Sequence, residues 1–132
     1  ILAAVGVVGV VVLGDALPGG PPVVVDDAAF LGPAVVFALA LGAMEEVAYR
    51  GALLHWLARN VGTWVALAAQ ALVYGVAHAV AAPGAPLLTG TVLGAGALVA
   101  GVITIRTRSL LVPIAWHSAL NLALYASLAC RG

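Results

Sequence analysis

The sequence contains no lysine, and its 132 residues carry only five arginines and five acidic residues, a charged fraction of 8%. Soluble domains carry roughly 25% charged residues, so an ordinary soluble domain is excluded. The formal net charge is zero and no basic patch is present, so we expect no nucleic-acid partner. The single cysteine, Cys130, excludes an internal disulfide. The sequence has no cluster of Cys and His residues, so we predict no structural zinc site.

Apolar residues dominate instead, at 64% of the chain with a mean hydropathy of +1.20. In lipid the backbone must satisfy its own hydrogen bonds, so only helices and closed barrels can span a membrane. Long runs of Ala, Val, Leu and Gly without strict alternation favour helices over a barrel. We therefore predict an all-α fold in the lipid bilayer, a polytopic transmembrane helical bundle. It would have about four full spans plus a truncated N-terminal one.

The chain divides into an N-terminal part and a helical core. Residues 1–14 are apolar but too short to span by themselves, since a span needs about 20 residues. We interpret them as the end of a truncated helix, and the chain as part of a longer protein. Residues 15–27 hold a Pro/Gly cluster at 18–22 and three aspartates, which predicts an acidic loop. The predicted regions are therefore 1–27 and the core, 28–132.

Apolar runs and turn residues place helices in the core at about 28–60, 63–82, 87–105 and 109–129. The first of these is about 45–50 Å long at 1.5 Å per residue, which exceeds the thickness of a bilayer core. The third carries small residues at helical intervals, namely Gly90, Gly94, Ala97 and Gly101. Such a face is typical of a helix that packs closely on a neighbour.

The arginines predict an orientation. Arg59, Arg106 and Arg108 fall in alternate loops on one side of the membrane, and the acidic loop falls on the other. Arg-rich loops are typically cytoplasmic, so we expect the arginine side to be cytoplasmic. Arg131 falls on the opposite side and weakens this asymmetry.

Two adjacent acids, Glu45 and Glu46, lie between apolar runs. Ionised side chains in such surroundings are costly unless they are paired or face water. Glu46 and Arg50 are four residues apart, about 40° on a helix, so they can form an ion pair along one face. Glu45 lies about 140° from Arg50 around the helix, so it is poorly placed to pair with Arg50. A carboxylate without an ion-pair partner in apolar surroundings suits a general base. The alternative is that Arg50 holds both acids as a static brace.

Further polar residues occur on two other predicted helices. His78 follows Tyr74 by four residues, and Asn121 follows His117 by four, so each pair shares a helix face. An imidazole and an amide at that spacing could donate to an oxyanion, ligate a metal or clamp two helices. Counted from the arginine side, Glu45, His78 and His117 lie roughly 20, 22 and 12 Å deep, so helix tilt could bring them together.

The other polar and aromatic side chains are interpreted as structural. His55 lies beside Trp56 near Arg59, and we expect it at the membrane interface. Hydrogen bonds within the helix packing are expected for Gln70, Thr89, Thr91, Thr104 and Ser118. Positions in the core or in an aromatic belt are expected for Trp64, Trp116 and Tyr125.

Three motifs carry a family resemblance: EEVAYRG at 45–51, YGVAH at 74–78 and HSALN at 117–121. They resemble the EExxxR, FxxxH and HxxxN signatures of the CPBP family, the CAAX prenyl endopeptidases and their bacterial relatives, also called the abortive-infection family. The motifs occur in the family's order, each on its own predicted helix, and the resemblance covers about residues 30–129. The departures are Tyr74, where the family usually has Phe, and Tyr49 before Arg50. We expect neither departure to touch the ionisable groups.

The resemblance implies an intramembrane endopeptidase that hydrolyses a peptide bond of a membrane-associated peptide or protein. Glu45 and His78 would activate the attacking water, and His117 with Asn121 would stabilise the oxyanion. Glu46 completes the candidate catalytic set in an assisting role. Arg50 and Tyr74 would give structural support.

The resemblance leaves the use of a metal open. The family has been described both as metalloproteases and as metal-independent, glutamate-dependent enzymes. Under the first description Glu45, His78 and His117 would be ligands of a divalent metal such as zinc, with an open position for water. No HExxH motif is present, so a zinc site with two histidines on one helix is excluded.

Two other functions compete with a peptidase. A non-catalytic membrane scaffold or immunity protein would keep the polar cluster for packing, and a proton-coupled transporter would use it as a relay. No GxS stretch supports a rhomboid-type serine protease, and the aspartates of one loop do not suit an aspartyl protease. By analogy with the family, we expect a bacterial cytoplasmic membrane protein that processes peptides, with bacteriocin maturation or self-immunity as the first possibilities.

Overall fold

A computed structural model describes residues 27–82 and 84–129 of the chain, with side chains placed at 32–82 and 84–126. The described elements are helices α1 (Asp27–Glu46), a π-helical segment (Val47–Leu53), α2 (Leu54–Val61), α3 (Thr63–Ala81), α4 (Pro86–Thr107) and α5 (Leu111–Ala129). The described part is helical and contains no strand, which confirms the predicted helical bundle. The predicted N-terminal helix, most of the acidic loop, Cys130 and Arg131 lie outside the described residues.

The helix ends follow from local sequence chemistry. Gly62 separates α2 from α3 with a φ of +86°, a conformation that side-chain-bearing residues rarely adopt. Pro86 begins α4, where its missing N–H leaves no intrahelical bond unmade. Arg108 ends α4 in the left-handed conformation, with a φ of +54°. These breaks turn the chain back on itself and so place the ends of α2 and α4 at one end of the bundle.

Helix α3 packs against α4, and α1 packs against α5. The α3–α4 crossing is close because a Cβ atom added at Gly75 would lie only 2.6 Å from the carbonyl oxygen of Gly90. Ala97 and Gly101 continue the buried face of α4. The prediction that the small residues of α4 form a packing face is confirmed.

The polar side chains assigned to helix packing behave differently from one another. Gln70 is fully buried, and its Nε2 atom donates to the carbonyl oxygen of Ala97 on α4 at 3.2 Å, as expected. Thr91 and Thr104 donate to carbonyl oxygens of their own helix, so they do not link helices. The prediction is wrong for Ser118, whose buried hydroxyl has no hydrogen-bond partner among the described residues.

The long first helix of the core contains a local change of winding that periodicity does not reveal. The N–H of Leu54 donates to the carbonyl oxygen of Tyr49, five residues back, and the π-helical segment begins directly after Glu46. A π turn inserts an extra residue and is common at functional sites. The acids therefore lie where the helix changes its register.

By length and composition, the continuous helix Gly32–Val61 and the helices α3 and α4 can cross a membrane, and the described side chains of α5 form a shorter apolar helix. Large apolar side chains such as Leu72, Val80 and Leu87 are exposed, as expected for surfaces that face lipid. The chain is thus an integral membrane helical bundle.

Candidate active site

Glu46 and Arg50 form the innermost ion pair of the described bundle. Their side chains are 1% and 2% exposed, and Arg50 Nη1 lies 2.9 Å from Glu46 Oε1. The i,i+4 pairing predicted from the sequence is therefore confirmed. Because Glu45 makes no ion pair with Arg50 among the described contacts, the alternative in which Arg50 braces both acids does not hold.

The same carboxylate of Glu46 reaches α5. Its Oε1 atom lies 2.9 Å from Nδ1 of His117. A carboxylate can only accept, so Nδ1 of His117 donates, and a neutral ring would carry its lone pair on Nε2. Glu46 therefore orients His117, a contact between residues 71 positions apart that sequence spacing could not reveal.

Glu45 faces the other polar groups instead. Its Oε2 atom lies 3.8 Å from Nε2 of His78 and 3.7 Å from Nε2 of His117. Nδ1 of His78 donates to the carbonyl oxygen of Tyr74 at 2.9 Å, so a neutral His78 ring also presents its lone pair at Nε2. Three different helices thus bring a carboxylate and two imidazole nitrogens to one place.

Tyr74 lies at the centre of this group. Its hydroxyl donates to Oε2 of Glu45 at 2.7 Å and lies 3.5 Å from Nε2 of His117. The expectation that Tyr74 touches no ionisable group is therefore wrong. The error arose because the sequence gives the face of a residue on its own helix but not the neighbour across the helix packing.

A cavity of about 250 Å³ opens beside these side chains. Its polar lining comes from Glu45, Tyr74, His78, His117 and Asn121. Its apolar wall comes from Leu41, Leu93, Gly96, Ala97, Trp116, Leu120 and Leu124, and Tyr125 also lines it. The sequence prediction missed Trp116 and Tyr125, which it placed only in the core or belt.

Asn121 contributes a side-chain donor to the cavity wall. Its Nδ2 atom is buried and has no hydrogen-bond partner among the described residues. Buried polar groups are normally paired, so an unpaired donor in a cavity wall suits an acceptor that arrives from outside.

His55 lies away from this cavity. Its side chain is exposed and lies with Arg50 and Arg108 along a second cavity at the arginine end of the bundle.

The predicted metal ligands Glu45, His78 and His117 lie on three different helices. Among the described residues, no group of three His, Cys, Asp or Glu side chains could hold a metal ion. Both imidazoles face Oε2 of Glu45, and the Tyr74 hydroxyl already lies on that oxygen. As arranged, the residues Glu45, His78 and His117 do not fit a metal site.

Comparison with known proteins identifies the family. The model of the type II CAAX prenyl endopeptidase Rce1-like family matches residues 27–123, which include the polar lining of the cavity and the Glu46–Arg50 pair. No curated protein and no solved structure matched the chain. With a membrane helical bundle and a match over most of its length, the chain belongs to this family of CAAX-type intramembrane proteases.

Proposed function

We propose that this protein is an active intramembrane endopeptidase that hydrolyses a peptide bond of a membrane-associated peptide or protein. The observation that carries the proposal is the convergence of Glu45, His78 and His117 at one cavity between apolar helices, with Nε2 of each imidazole within 3.8 Å of Glu45. Ionisable side chains are rare in a membrane interior and usually serve a function there.

Glu45 and His78 activate the attacking water in this mechanism. The water donates one proton to the Glu45 carboxylate and is held by the lone pair on Nε2 of His78. Its oxygen attacks the carbonyl carbon and forms a tetrahedral intermediate. The carbon–nitrogen bond then breaks as the protonated Glu45 returns its proton to the leaving amine, which restores the carboxylate.

Asn121 and His117 stabilise the oxyanion of that intermediate. Asn121 offers its unpaired Nδ2–H group, and His117 donates from Nε2 when its ring is protonated at both nitrogens. Glu46 supports the protonated ring through Nδ1, at 2.9 Å. Arg50 in turn prevents Glu46 from being an uncompensated buried charge.

No step of this mechanism uses a divalent metal. The zinc content of the purified protein and its activity are measured before and after chelation. If chelation removes stoichiometric zinc and abolishes the activity with it, the mechanism includes a metal.

The lining of the cavity supports a membrane-associated peptide as the substrate class. The cavity wall is mainly apolar and lies among helices that can cross a membrane, which suits a substrate with an apolar peptide segment. In a bacterial cytoplasmic membrane, such an activity would serve peptide maturation, including bacteriocin processing or self-immunity.

The function is tested with purified protein in liposomes. The probe is a library of synthetic peptides that each carry an apolar, membrane-inserting half, and cleavage is detected by mass spectrometry. We expect Glu45→Gln, His78→Gln and His117→Gln to abolish cleavage, whereas the matched variant His55→Gln, at an exposed position, retains it.

Other results would point to the competing functions. Full cleavage by all three site variants would overturn the catalytic assignment. Proton-coupled flux without cleavage would favour a transporter, and neither flux nor cleavage, of the library or of host membrane proteins, would favour a scaffold or immunity protein.

A further inference from the structure

The Tyr74 hydroxyl makes the hydrogen bond that orients Glu45. It donates its one proton to Oε2 of Glu45 at 2.7 Å. The two imidazole nitrogens lie 3.7 and 3.8 Å from the same oxygen, beyond hydrogen-bond distance. Arg50 pairs with Glu46 instead. Among the described contacts, the phenol therefore has the strongest control over the direction of the Glu45 carboxylate.

The Tyr74 ring is itself held from several sides. The side chain is only 4% exposed. The Tyr49 ring meets it edge-on with centroids 4.8 Å apart, and the Arg50 guanidinium carbon lies 4.7 Å from its centroid. The His78 ring lies 4.2 Å away on the same helix. A ring packed in this way cannot swing its hydroxyl away from Glu45 without moving several neighbours.

We propose that Tyr74 is a positioning residue for Glu45. By binding Oε2, the phenol leaves Oε1 to accept the proton of the attacking water and holds the carboxylate between the two imidazoles. A glutamate side chain has three rotatable bonds, so a carboxylate without this hydrogen bond would sample several directions. This inference rests on the proposed peptidase function, in which Glu45 is the general base.

The kinetic test uses Tyr74→Phe, which removes one oxygen and keeps the packed ring. A misplacement of about 1 Å can lower turnover by about 10²-fold, so we expect kcat to fall by about 10- to 100-fold with KM changed by less than about twofold. Tyr49→Phe is the matched control, because the Tyr49 hydroxyl has no described hydrogen bond and its ring keeps the same contact with Tyr74. The control should keep kcat within about twofold of the unmodified protein.

Two kinetic results would overturn the inference. One is an unchanged kcat in Tyr74→Phe. The other is a rise in KM without a fall in kcat, which would show that the hydroxyl contacts substrate instead of positioning the base. The apparent unfolding temperature of both variants in detergent should match that of the unmodified protein, so that a loss of folded protein is not mistaken for a loss of turnover.

A second measurement needs no substrate and separates this inference from the proposed function. The C–O stretch of ring-labelled tyrosine in the infrared spectrum reports the hydrogen bond of the phenol, and the Tyr74 band is assigned as the one lost in Tyr74→Phe. We expect Glu45→Gln to shift that band and Tyr49→Phe to leave it in place. An unshifted band in Glu45→Gln would overturn the positioning contact, whereas a shifted band together with full cleavage by Glu45→Gln would overturn the peptidase mechanism alone.

Discussion

The carboxylate of Glu46 accepts a hydrogen bond from Nδ1 of His117 at 2.9 Å, across 71 positions of sequence. The same oxygen contacts Arg50 at 2.9 Å. One buried acid therefore joins the arginine that stabilises its charge to the imidazole that faces the cavity. This arrangement divides the adjacent acids into an orienting residue, Glu46, and a residue that faces the cavity, Glu45.

The double contact of Glu46 predicts unequal effects of two substitutions. Glu46→Gln keeps the shape but removes the charge that supports a protonated His117, so we expect kcat to fall by about 10²-fold. Arg50→Gln leaves the Glu46–His117 contact in place and should lower kcat less. Turnover corrected for the folded fraction distinguishes them, and equal losses would mean that Glu46 acts only as the partner of Arg50.

Removal of Arg50 should mainly destabilise the fold. Arg50→Ala leaves Glu46 as a buried charge with only His117 beside it, and loss of one partner of a buried pair typically costs about 3–5 kcal/mol. The free energy of unfolding in detergent, measured by denaturant titration, should fall by about this amount. The control Arg59→Ala removes an exposed arginine of α2 and should change the stability by less than about 0.5 kcal/mol.

Asn121 should affect turnover more than stability. Its buried Nδ2 donor has no partner within the described protein, so Asn121→Ala breaks no described hydrogen bond of that donor. Loss of one oxyanion donor typically lowers kcat by about 10²–10³-fold. Asn60→Ala is the matched control, since the exposed Asn60 bonds only to the carbonyl oxygen of Trp56 in the described structure. A normal kcat in Asn121→Ala would remove the residue from the mechanism.

The close crossing of α3 and α4 predicts a steric effect at Gly75. An added Cβ would lie 2.6 Å from the backbone oxygen of Gly90, which cannot move aside as a flexible side chain would. We expect Gly75→Ala to destabilise the protein by about 1–3 kcal/mol. Gly32→Ala, where nothing lies within 4 Å of the added atom, should be neutral or stabilising because alanine favours the helix. Equal stability of the two variants would contradict the described crossing.

The orientation in the membrane can be tested with introduced cysteines. In a Cys130→Ser background, a cysteine at Arg59 should be labelled by a membrane-impermeant maleimide only after the cytoplasmic side is exposed. A cysteine at Gly84, in the turn between α3 and α4, should be labelled in intact cells. The reverse pattern would invert the predicted topology.

The sequence by itself determined the class of fold and much of the content of the site. Low charge and long apolar runs indicate a membrane protein, and the lack of strict alternation favours helices, which satisfy their own backbone hydrogen bonds in lipid. The Glu46–Arg50 pair also followed from the sequence, since four residues along a helix return to nearly the same face. The three motifs indicated the family, and the match over residues 27–123 shows it.

Only the tertiary structure decided which of these side chains meet. The contacts Tyr74–Glu45 and His117–Glu46 join different helices, so they depend on how far each helix is shifted and rotated against its neighbour. Helical periodicity fixes the face of a residue on its own helix but leaves those two quantities undetermined. The π-helical segment after Glu46 shifts the register further, and no composition rule predicts it. For this reason the central position of Tyr74 could be seen only once the helices were packed.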